Sequence, residues 1–168
     1  EIAGRIPAGA HVVVSAAGSL VNSDHERRAA ELLRGSLAFG SITESSAFYS
    51  DALLVREFTA ILNAVMLASA ERLAASLADA VADGGGERIR AFVATNEGGC
   101  TPLSRLPITP VHSMRADVAG EMLGGASVAG RTDGRIIVAG RGGVRIGEFV
   151  AGLPSVVNRT SLPGGISL

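Results

Sequence analysis

The 168-residue chain is 47% hydrophobic but only 4% aromatic and carries a formal net charge of −1. A chain of this length can bury about 70% of its unfolded surface, and the core it builds must consist of Ala, Val, Leu and Ile. Every basic residue is arginine, so lysines that grip phosphate, form Schiff bases or act as general bases are excluded, and the scattered arginines do not make a nucleic-acid surface. One cysteine, Cys100, rules out an internal disulfide or a multi-cysteine zinc site, and His11, His25 and His112 lack metal-ligand spacing. No metal, nucleic-acid or membrane partner is therefore expected. With no apolar run near 18 residues and no secretory signal, a cytoplasmic location is expected.

In chain order, HVVVSAAGS (11–19) is a short β-branched run feeding a small-residue loop, and predicts a buried strand. A capping-box pattern follows, in which Ser23 caps the Glu26 N–H and Glu26 reaches back; it predicts a helix from Asp24 to Gly35, with His25 and Glu26 on its solvated first turn. A brief strand at 41–43 and a Ser-rich turn lead into the dominant feature. There, Leu54, Phe58, Ile61, Leu62, Val65, Leu73, Leu77 and Val81 recur at helical spacing until Gly84–Gly86. One stripe of so long a helix is expected to face the protein's own sheet, while the stripe carrying Leu67 meets a partner. IRAFVAT (89–95) predicts a buried strand, ITPVHSM an extended segment, DVAGEMLGGASVAG a short helix in which Asp117 is the cap, and RIIVAG a strand. The turn-rich tail, 158–168, is expected to be weakly structured. Strands alternating with helices around an antiparallel hairpin predict an α/β domain with a mixed sheet.

Two stretches carry candidate chemistry. In VAGRGGVRIGEF (138–149), two β-like runs are joined through Gly142-Gly143, the kind of turn that lets backbone N–H groups approach a phosphate. The carboxylates and hydroxyls that would hold Mg²⁺ and phosphate oxygens are missing there, leaving Arg141 and Arg145 as the only attraction for an anion. The second is the loop Asn96, Glu97, Gly98, Gly99, at the carboxyl end of a strand, where open α/β sheets place ligands. The adjoining Cys100 reads as a small buried residue.

GSLVNSDHERRAAELL, VREFTAILNA, AFVATNEGG and IIVAGRGGVRIGEF occur in the order and spacing of the A-type subunit of the hydantoinase/oxoprolinase family. The resemblance spans roughly residues 11–157 and corresponds to the middle of that longer subunit. It implies an actin-like, ribonuclease-H-like α/β domain over residues 1–168, with one long helix. It also implies descent from enzymes that couple ATP hydrolysis to opening hydantoins or 5-oxoproline, or to carboxylating ketones. Set on the family's Asp-x-Gly-Gly-Thr-x-x-Asp loop, Gly140 and Gly147 stand where the aspartates would be and Val144 stands for the threonine. Glu148 falls one residue off, on the other face of its strand. The family's Ser-Gly-Pro-Ala-Gly segment corresponds to Arg115–Gly120 without its glycine and proline.

Two readings remain open. In one, the chain is a non-catalytic structural or regulatory subunit without cofactor, in a homo-oligomer or bound to a second hydantoinase-type subunit. In the other it is a portion of an ATP-dependent cyclic-amide hydrolase or ketone carboxylase, taking ATP and Mg²⁺ through loops outside these residues.

Overall fold

The computed structural model describes residues 5–36, 40–84, 89–140, 143–155, 161–162 and 166–167. The chain is α/β, in two compact units, 1–68 and 69–167, whose division falls inside one long helix. Among the described residues the strands make four small sheets, so the single mixed sheet predicted from sequence does not form there.

In the first unit, β1 (His11–Val14) and β2 (Ser41–Glu44) pair in parallel, His11 opposite Ser41 and Val14 opposite Glu44. Parallel strands need a long crossover, and α1 (Asp24–Ser36) lies in it. Its inward stripe is Glu26, Ala30 and Leu33, at i, i+4 and i+7, with Glu26 and Ala30 at 0% exposure. The capping box does not form. The Asp24 N–H donates to the Asn22 side chain, the Ser23 hydroxyl accepts from Arg27, and Glu26 turns into the protein. A 3₁₀ turn, Ser45–Ala47, leaves β2 and leads to α2 (Leu53–Asp83), 31 residues and about 47 Å long at 1.5 Å per residue.

Within the first unit α2 buries Arg56, Ala60, Asn63, Ala64 and Leu67, one stripe at helical spacing. Leu67 is 5% exposed, which corrects the expectation that it meets a partner: it lies three and seven residues beyond Ala64 and Ala60, on the same inward face. Leu54, Ile61 and Val65 occupy the opposite, exposed face. The helix is apolar on both sides, and it is long and apolar enough to cross a membrane by length and composition alone. The sequence reading still holds in that the helix's longest uncharged stretch, Phe58 to Ala70, is shorter than 18 residues. The few charges are spaced so that an apolar window survives between Arg56-Glu57 and Glu71-Arg72.

The second unit holds a hairpin of β3 (Phe92–Ala94) and β4 (Cys100–Pro102), then α3 (Ala116–Ala129), and the antiparallel order β5-β6-β7 (Gly134–Gly140, Gly143–Val150, Leu153–Pro154). Two expectations fail here for physical reasons. β3 is not buried, Phe92 being 52% exposed, because its sheet has only two strands. The segment read as extended winds into a 3₁₀ turn, Pro110–Ser113: Pro110 fixes φ at its start and the Ser113 hydroxyl donates to the Pro110 carbonyl at 2.7 Å. α3 starts after Arg115, which adopts a left-handed φ of 63°, and Asp117 sits within the first turn instead of capping it. In the tail, β8 (Ser161–Leu162) and β9 (Ile166–Ser167) pair antiparallel.

Candidate functional site

The hairpin forms in the predicted place, with Gly140 opposite Gly143, so Gly143 is a strand residue with a φ of +113°. Arg141 and Gly142 lie outside the described residues. Alternation divides the ladder into two faces. Ile136, Val138, Arg145, Gly147 and Phe149 are the more buried set; Arg135, Ile137, Ala139, Val144, Ile146 and Glu148 are exposed. Glu148 faces Arg135 across the ladder, 3.5 Å away, on the outer face as its parity predicts.

The inner face packs on α3 through two glycines. A Cβ on Gly147 would stand 2.0 Å from Met122 Cε, and one on Gly125 would stand 1.9 Å from Ile136 Cδ1. Gly147 therefore admits Met122. Arg145, on the same face, hydrogen-bonds to Glu121 and lies 3.7 Å from Asp117, both on α3. Its charge is met by two carboxylates of its own chain, and the Arg145 Nε and Glu121 Oε2 are shielded without a hydrogen-bond partner.

The loop 95–99 joins β3 to β4 in an antiparallel hairpin, Ala94 opposite Cys100, and so does not end a strand of a parallel sheet. The N–H groups of Asn96, Gly98 and Gly99 are used within the chain. Gly98 donates to the Thr95 carbonyl at 3.1 Å, Gly99 to the Thr95 hydroxyl at 3.1 Å, and Asn96 to the His112 carbonyl at 2.7 Å. Gly98 has a φ of +88°, and a Cβ there would meet Pro154 at 2.9 Å and Leu123 at 3.1 Å, so conformation and space both call for glycine. Glu97 is exposed. Cys100, expected to be buried, is exposed because the two-stranded hairpin does not cover it.

The densest buried polar chemistry lies elsewhere, at the carboxyl ends of the parallel strands β1 and β2. Glu26 Oε1 accepts from the Ala16 N–H at 2.7 Å and the Ser45 hydroxyl at 2.6 Å, and Oε2 accepts from the Ser46 N–H at 2.8 Å. Burial pushes this carboxyl up, but Ser45, both donors of Ser46 and the Ala16 N–H together outweigh it and hold its pKa below the usual 4.5. The Ser19 N–H donates to the Ala16 carbonyl at 3.3 Å, and the Ser19 hydroxyl, itself buried, accepts from Arg56 at 3.4 Å. Arg56, 2% exposed, also donates to the Ser50 carbonyl at 2.6 Å and to that of Asp51 at 3.4 Å, while its Nε has no partner. A hydrogen-bonded chain thus runs from Glu26 through Ala16 and Ser19 to Arg56.

Sequence reasoning placed Glu26 on the surface and overlooked Ser19, Ser45 and Arg56. The available signal was topological: two loops leaving adjacent parallel strands meet where α/β proteins hold ligands, and each here is rich in serine. Among the described residues no group of three or more His, Cys, Asp or Glu side chains is arranged to hold a metal ion. Compared with family models, curated proteins and solved structures, the chain gives no match.

Proposed function

We propose that this chain is a hydantoinase/oxoprolinase-like, actin-like domain whose nucleotide-phosphate hairpin is degenerate, acting as a non-catalytic structural or regulatory subunit in the cytoplasm. The observation that carries the reading is the inner face of the hairpin. Where a phosphate loop presents carboxylates to Mg²⁺, this hairpin presents Gly147 filled by Met122 and Arg145 neutralised by Glu121 and Asp117. A triphosphate without a neutralising cation has no stabilised transition state, so the hairpin has a packing role.

A structural subunit also needs surfaces to dock through. Leu54, Ile61 and Val65 on α2 are 55%, 40% and 74% exposed, and support assembly with a second copy or a second hydantoinase-type subunit. The buried Arg56 and Asn63 on the opposite face of the same helix favour its role as a core helix of a soluble subunit over a bilayer span.

The test is steady-state phosphate release with Mg-ATP, together with calorimetry. The expected result is no turnover above a protein-free control and at most millimolar affinity. Turnover that is abolished by Arg145→Ala, or micromolar Mg-ATP binding, would overturn the reading and revive an ATP-dependent cyclic amidase or carboxylase.

A further inference from the structure

The buried arginine at the head of α2 has an environment that its own chain does not complete. Arg56 is 2% exposed, and no carboxylate among the described residues lies within ion-pair distance of it. A guanidinium offers five N–H donors and stays charged at every accessible pH. Here it makes one short hydrogen bond, to the Ser50 carbonyl at 2.6 Å, and two long ones, to the Asp51 carbonyl and the Ser19 hydroxyl, both 3.4 Å. Its Nε has no partner. A buried cation surrounded by neutral acceptors is retained at a cost, which an opposite charge would remove.

Among the described residues Glu26 is the other buried charge of this unit, but its two oxygens are occupied by Ala16, Ser45 and Ser46. Burial of a carboxylate and a guanidinium without direct pairing leaves the arginine as the group short of a partner. Its surroundings are the loops that leave β1 and β2 at their carboxyl ends. Ser19 lies on the first of these loops, while Ser50 and Asp51 lie on the second. On the same two loops, Val21 and Tyr49 are 95% and 92% exposed, so both loops reach solvent.

We infer that Arg56, with the Ser19 hydroxyl, forms a binding site for a small oxyanion, a carboxylate or phosphate group, entering between the loops that follow β1 and β2. The group would take the unused N–H donors of Arg56, for which planar or tetrahedral oxyanions have matching geometry, and the hydroxyl of Ser19 would donate to it. The site is separate from the β5-β6 hairpin and stands whether or not the family reading does.

The probes are sodium phosphate and sodium acetate, titrated against the full chain by calorimetry and thermal unfolding at constant ionic strength. At a concentration about tenfold above its Kd, the bound anion should raise Tm by about 3–6 °C. Phosphate also stabilises proteins generally by exclusion from their surface, so the decisive quantity is the difference from Arg56→Met, in which the saturable response should fall at least tenfold in affinity. Ser19→Ala should weaken binding several-fold and guards against a variant at position 56 that does not fold. A response to phosphate alone assigns a phosphoryl ligand, and a response to acetate assigns a carboxylate. No saturable heat with either anion, or binding unchanged in both variants, would overturn the site and leave Arg56 as a clamp on the Ser50 and Asp51 carbonyls.

Discussion

The hairpin of the second unit and the β1-β2 loops of the first each hold an arginine and a carboxylate, and they handle the charges in opposite ways. On the hairpin, the Arg145 and Glu121 side chains are 39% and 32% exposed and pair with each other. In the loops, Glu26 and Arg56 are 0% and 2% exposed, and each is bonded to neutral groups. A partly exposed pair is screened by solvent and contributes little, whereas a buried charge whose hydrogen bonds are removed leaves several groups stranded at once. The region that resembles a phosphate loop is thus electrostatically closed, and the region with no motif holds the unbalanced charge.

The largest effect that tests this contrast is Glu26→Ala. It strands the Ala16 N–H, the Ser45 hydroxyl and the Ser46 N–H together, and should destabilise the first unit by about 3–5 kcal/mol. The matching change on the hairpin, Glu121→Ala, should cost about 1 kcal/mol or less, because Arg145 keeps Asp117 and solvent. Urea unfolding of both variants gives the two numbers. Equal losses would mean that burial does not separate the two clusters.

Part of this was legible in the sequence and part was not. The alternation in RIIVAG and VRIGEF predicted a hairpin, and the helical spacing from Leu54 to Val81 predicted α2, because both signals are periods within one element. The Glu26 contacts are of another kind. They join residues 10, 19 and 20 positions apart, and the Arg56–Ser19 bond spans 37. No local period records such partners, and the Ser23–Glu26 spacing pointed to a capping box that the inward rotation of Glu26 pre-empts. Strand direction was equally hidden: AFVAT has the composition of a buried strand of a parallel sheet, but its partner is the antiparallel segment five residues further on.

A smaller effect should come from placing a carboxylate on the inner face of the hairpin, Gly147→Asp. The new Cβ would meet Met122 Cε at 2.0 Å, so the methionine must leave its place between α3 and the hairpin. Overpacking of this size, eased by the flexibility of a thioether chain, costs about 1–3 kcal/mol. The variant should unfold at lower urea and still release no phosphate from Mg-ATP. A variant as stable as the parent would show that Met122 repacks freely and that Gly147 is not held by this contact.

The smallest effect is acid sensitivity, and it falls on the loop cluster. The hydrogen bonds to Glu26 outweigh its burial and lower its pKa below 4.5, so the folded chain binds this proton less readily than the unfolded one does. Its contribution is therefore fully present above pH 4.5 and is lost as pH falls from there through the folded-state value. Asp133 acts in the same direction, its pKa lowered by the Ala151 N–H and the Thr132 hydroxyl, but it is exposed and gives only a shallow background. Glu26→Gln keeps the shape and removes the ionisation. Urea midpoints measured from pH 7 to pH 3 should show the parent's advantage over Glu26→Gln shrinking below pH 4.5 and staying flat above it. If the two proteins lose stability in parallel across that range, the acid-labile group lies outside the β1-β2 loops and the contrast between the two regions does not extend to proton binding.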